Sequence, residues 1–102
     1  MKKFFSILLF CLVLCNAVQA LPECNKKNHW KKWTNCFGTI TYSNTDKYVG
    51  EWEDGFKHGQ GTMIWSNGNK YVGEFKGDHP SGQGKMTFLD GRIYEGQFEF
   101  SK

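Results

Sequence analysis

Three segments of this chain are versions of one another at a spacing of 23 residues, and no other feature restricts the fold as tightly. DKYVGEW occupies 46–52, NKYVGEF 69–75 and RIYEGQF 92–98. The shift superimposes Tyr48, Tyr71 and Tyr94, then Gly50, Gly73 and Gly96, then Trp52, Phe75 and Phe98. Further on, GQGTMIWSNGNK (59–70) lies over GQGKMTFLDGRI (82–93), so Gly59 and Gly61 recur as Gly82 and Gly84. A worn copy, FGTITYSNTDKY at 37–48, precedes both and lacks the glycine at Thr45. Periods of this length denote supersecondary units stacked side by side, each covering its neighbour.

Alternation identifies the units as strands. Tyr48, Gly50 and Trp52 stand two apart, as do Gly61, Met63 and Trp65, and Tyr71, Gly73 and Phe75. Side chains two apart share one face of a strand. The other face carries Glu51, Glu53, Thr62, Ser66, Glu74, Lys76, Lys85 and Thr87, and reads as wet. Asn67-Gly68 and Asp90-Gly91 are hairpin turns. A three-residue loop with Gly68 left-handed sets Tyr71 opposite Met63 and keeps the aromatic face intact, whereas a two-residue loop sends Tyr71 to the wrong face. By the same parity the link DGFKHG (54–59) needs an even loop, and a four-residue turn at 55–58 is expected. The fold class is all-β: an elongated, single-layer antiparallel sheet of stacked hairpins. Glycine between two aromatics leaves a depression that a neighbouring ring can cover. Tyr48, Gly50, Trp52, Gly59, Gly61, Tyr71, Gly73, Phe75, Gly82 and Gly84 are therefore read as packing positions.

Outside the repeat the chain has different grammar. Lys2 and Lys3, an apolar run from Phe4 to Cys15 and the small-residue ending Val18-Gln19-Ala20 make residues 1–20 a signal peptide, cut after Ala20. That run is shorter than the ~20 apolar residues needed to span a bilayer. The expected protein is exported, periplasmic or secreted. Removing Lys2 and Lys3 lowers the net charge from +3 to +1, which gives no reason to expect nucleic acid. Of the cysteines, Cys24 and Cys36 remain, and in an oxidising compartment they read as a disulfide tying an N-terminal cap over 21–36. A zinc site on Cys24, His29 and Cys36 is the rival, and it lacks a fourth ligand and a recognisable spacing. The repeats fill 37–102: a degenerate half at 37–47, full copies at 48–70 and 71–93, and a partial one at 94–102.

Little in the chain suggests chemistry. Asp54, His58 and Ser66 sketch a triad, yet they fall at turns, and no phosphate loop or paired-histidine motif accompanies them. Neither catalysis, a cofactor, a metal nor a small-molecule substrate is expected. Two stretches read as contact surfaces. KKNHWKKW (26–33) interleaves Lys26, Lys27, Lys31 and Lys32 with Trp30 and Trp33, a pattern suited to an anionic lipid surface if the tryptophans are exposed and to a closing cap if they are packed. At the other end Tyr94, Phe98 and Phe100 lie on one side of the last strand, an edge available to a protein partner or to a second copy.

YVGEWEDGFKHGQGTMIWSNGNK (48–70) and YVGEFKGDHPSGQGKMTFLDGRI (71–93) resemble the MORN repeat (membrane occupation and recognition nexus), whose pattern is close to Y-x-G-x-W/F, a turn often ending H-G, then G-x-G and a second strand. The second copy departs in its turn, where Gly77 precedes the place of Gly55 and Ser81 replaces His58. The chain is similar to small exported bacterial members with two cysteines before FGT. The resemblance implies a stacked-hairpin scaffold for protein association and, in some members, for lipid association, with no catalysis by the repeats themselves.

Overall fold

The computed structural model describes residues 21–99; the segment read as a signal peptide and Phe100 lie outside them. Six strands form one antiparallel sheet in chain order: β1 (Cys36–Thr41), β2 (Lys47–Glu53), β3 (Phe56–Ile64), β4 (Lys70–Lys76), β5 (His79–Thr87) and β6 (Ile93–Phe98). Register follows the glycines. Gly38 pairs with Gly50, Gly50 with Gly61, Gly61 with Gly73, Gly73 with Gly84 and Gly84 with Gly96, a row that crosses every strand. A methyl group at Gly61 would collide with the Tyr48 ring, and one at Gly84 with the Tyr71 ring. The glycines thus make the floor on which the tyrosines lie.

Those rings form the core. Tyr48 meets Trp52 at 5.2 Å and Phe75 at 5.0 Å, and Tyr71 meets Phe75 at 5.1 Å and Phe98 at 4.8 Å, all edge to face. This is the arrangement that the ring quadrupoles favour. Each repeat consequently packs on the next through one aromatic pair, Tyr48 on Phe75 and Tyr71 on Phe98.

Hairpins alternate between two kinds. Loops 43–45, 66–68 and 89–91 have three residues, ending in left-handed Thr45, Gly68 and Gly91 at φ 75°, 96° and 93°. Met63 accordingly faces Tyr71, as parity requires. At the opposite end, Glu53 pairs with Phe56 and Lys76 with His79. Only Asp54-Gly55 and Gly77-Asp78 remain to turn the chain, all four left-handed as in a type I′ turn. The expected four-residue turn at 55–58 is therefore corrected: the loop is even but shorter. The surplus residues are absorbed by a bulge in β3 between Lys57 and Gly61, where Gly59 is left-handed at φ 65°. The Gln60 N–H donates to the Glu51 carboxylate at 2.9 Å, and the Tyr48 hydroxyl donates to the Glu51 carbonyl at 2.8 Å. Glu74, Gln83 and Tyr71 repeat the arrangement around left-handed Gly82. These acids hold the bulge, a role beyond the solvated charge read from alternation.

The cap closes the β1 end. Cys24 and Cys36 form a disulfide, which leaves no thiolate for the zinc alternative. Residues 22–24 run parallel beside β1: the Cys24 N–H donates to the Phe37 carbonyl at 2.9 Å, and the Phe37 N–H to the Pro22 carbonyl at 2.8 Å. A single 3-10 turn, Trp30–Lys32, carries the chain over the aromatic face. Trp33 is 6% exposed, its ring 5.3 Å from Trp52 and its indole N–H donating to the Asn25 carbonyl at 2.9 Å.

Candidate functional site

The candidate contact surfaces lie at the two ends of the sheet, and the structure treats them differently. In the cap, Lys26, Lys27, Lys31 and Lys32 are all exposed. Their intended hydrophobic partners are not. Trp33 is inside, and Trp30 is half-buried, 6.1 Å from Trp52 and 6.4 Å from Tyr42. By the criterion of tryptophan exposure the segment is built as a cap, with a basic outer rim and no free indole anchor.

At the other end, β6 has no strand on its outer side among the described residues. Tyr48 and Tyr71 are each 0% exposed, while the equivalent Tyr94 is 48% exposed. Phe98 is half-buried, wedged 4.8 Å from Tyr71 and 5.1 Å from Tyr94. Tyr94 keeps the intrastrand bond of its equivalents, its hydroxyl donating to the Gln97 carbonyl at 3.0 Å. The difference lies in what should cover it. Leu89 in the preceding loop and Ile93 at the start of this strand are exposed as well, Ile93 on the opposite face from Tyr94. Of the three predicted interface residues, Tyr94 and Phe98 are brought together, and Phe100 lies outside the described residues.

A shallow groove of about 440 Å³ runs between the cap and the turns, lined by Trp30, Tyr42, Asn44, Asp46, Lys57 and Asp78. Its polar groups already serve one another. The Lys57 ammonium lies 3.4 Å from the Asp78 carboxylate and 3.3 Å from the Tyr42 hydroxyl. The Asp46 carboxylate accepts from the Ser66 N–H at 2.7 Å, and this bond holds its pKa below the usual value. The same joint recurs one unit later, where the Leu89 N–H donates to the Asn69 side chain at 3.0 Å. Sequence reading missed these ties between successive loops. The recurrence of Asp46 as Asn69, 23 residues on, was the available signal.

Burial pushes the pKa of Tyr48 well above the ordinary tyrosine value and raises that of Tyr71, with Glu51 and Glu74 adding to it. Neither hydroxyl is placed to transfer a proton, since each is spent on a backbone carbonyl. The sketched triad is not assembled either. His58 lies 3.7 Å from Glu53, and Ser66 belongs to a loop at the far end of β3 from Asp54.

The MORN repeat family model matches this chain twice, over residues 48–70 and 71–91. No curated protein matches it. The first match takes in β2 but for its first residue and all of β3, and the second β4 but for its first residue and all of β5 with the turn that follows, so each is one hairpin of the sheet. Two adjoining copies, in step with the glycine row and the stacked rings, make this chain a MORN-repeat protein.

Proposed function

We propose that the chain is a non-catalytic, exported scaffold that associates with protein at the cell envelope through its β6 end. The observation that carries this reading is Tyr94, half exposed at a lattice position where Tyr48 and Tyr71 are fully covered. An edge strand with apolar side chains offers both backbone hydrogen bonds and a place for an aromatic ring, the two elements of strand addition. The signal-like leader, the disulfide and the near-neutral charge after Ala20 agree with an exported protein whose partner is not a nucleic acid.

A photo-crosslinking phenylalanine analogue at Tyr94, compared in cells with the same group at Val72 on the wet face of β4, tests the reading. A discrete protein adduct at position 94 and none at 72 is the expected result. Absence of any adduct at 94 removes the proposal. The exposed lysines of the cap support a second reading, peripheral binding to anionic lipid by charge alone. Salt-sensitive sedimentation with anionic vesicles, lost when Lys26, Lys27, Lys31 and Lys32 are changed to alanine, would move the reading there.

A further inference from the structure

The interior of the sheet specifies what fits its open edge. At each bulged joint a tyrosine faces a large apolar residue of the next strand and lies across the glycine two residues before it. Tyr48 faces Met63 and covers Gly61; Tyr71 faces Met86 and covers Gly84. Both tyrosines also receive an aromatic ring from the following repeat, Phe75 and Phe98. Tyr94 has no following strand among the described residues. An occupant must therefore bring a large apolar or aromatic residue opposite Tyr94, a glycine two positions before it, and no acid opposite Glu95.

β6 meets all three requirements itself. Laid antiparallel to an identical strand with Gly96 opposite Gly96, Tyr94 faces Phe98 of the second copy, and Gly96 of the second copy stands two residues before that phenylalanine. Glu95 then faces Gln97 of the second copy. Sliding the register by two residues in either direction sets glutamate against glutamate, Glu95 on Glu95 or Glu95 on Glu99. Like charges directly opposite are unfavourable, so the glycine-centred register is also the one that electrostatics prefers. A two-fold axis through Gly96, normal to the sheet, keeps both aromatic faces on one side.

We infer that β6 pairs with β6 of a second copy about Gly96, joining two sheets into one. This rests on the reading of β6 as the binding edge and names its occupant. Sedimentation equilibrium of the full purified protein tests it, together with Gln97→Lys, Gln97→Glu and Tyr94→Glu, each checked for folding by circular dichroism. Tyr94 and Gln97 are exposed, so the variants keep the core. The expected result is a reversible dimer that Gln97→Lys tightens roughly fivefold, by adding a Lys–Glu95 pair on each side of the axis, that Gln97→Glu weakens by a similar factor, and that Tyr94→Glu abolishes. A monomer at every concentration, or a dimer indifferent to both Gln97 variants, overturns the inference. A monomer that still gives a protein adduct at position 94 removes the second copy but leaves the binding edge standing; no adduct removes both.

Discussion

At the β1 end a strand edge is lined by residues 22–24, a disulfide closes the cap, and Trp30 and Trp33 complete the aromatic face over Trp52. At the β6 end no further strand covers the lattice among the described residues, and Tyr94 stands half exposed. The cap shows that the lattice accepts a substitute: two indoles outside the repeat register do for Trp52 what Phe75 does for Tyr48. Covering the last aromatic is thus a requirement of the repeat, while the means is free. The contrast implies a gradient of stability along the sheet, firm at the disulfide and soft at β6.

Truncating one aromatic at each end gives the largest test. Trp52→Ala removes a side chain that touches Trp30, Trp33 and Tyr48 and donates its indole N–H to the Gly38 carbonyl at 3.1 Å. Its expected cost is about 3–5 kcal/mol, while Phe98→Ala, half-buried, costs roughly 1–2 kcal/mol. Denaturant midpoints measure both, and equal losses would break the contrast. Next comes the covalent tie. Cys24→Ser combined with Cys36→Ser should cost about 3 kcal/mol and raise amide exchange in β1 and β2 towards that of β6. Unchanged exchange would mean that the tryptophans alone secure the cap.

The third test uses alkali. Tyr48 and Tyr71 have folded pKa values raised above the ordinary 10.0, chiefly by burial, so the stability they contribute is complete below pH 10 and falls as pH rises through the folded values. Thermal melts should decline above pH 10, and Tyr48→Phe with Tyr71→Phe should shift the decline upward despite weaker melts at neutral pH. An unchanged alkaline limb would show that unfolding there begins elsewhere. The smallest effect is a gain. Thr45 holds φ 75°, where its equivalents are Gly68 and Gly91, and Thr45→Gly should add about 1 kcal/mol by relieving left-handed strain. A loss would mean that threonine's smaller unfolded-state entropy outweighs that strain.

Periodicity made most of the fold legible. Alternation assigned the faces, and parity placed Met63 opposite Tyr71. Parity could not decide how the even link between β2 and β3 divides into turn and strand, because a two-residue turn with a bulge and a four-residue turn preserve the same faces. The carboxylate of Glu51 decides it by holding the Gln60 amide, a contact visible only once the strands are paired. Trp30 and Trp33 lie out of phase with the repeat, so no periodic argument assigned them a face. The open edge was readable in RIYEGQF, but the division of labour there was not: Phe98 is anchored on Tyr71 and Tyr94 is left to the surface.

The glycine row has a consequence for how such a molecule changes size. Every joint between strands meets at the same side-chain-free pair, Gly38–Gly50 through Gly84–Gly96. Excising residues 48–70 would bring Gly38 against Gly73, a border identical in kind to the one removed. The sheet can therefore be lengthened or shortened in steps of 23 residues without creating an unfamiliar seam, much as a measuring tape is cut only at its printed marks.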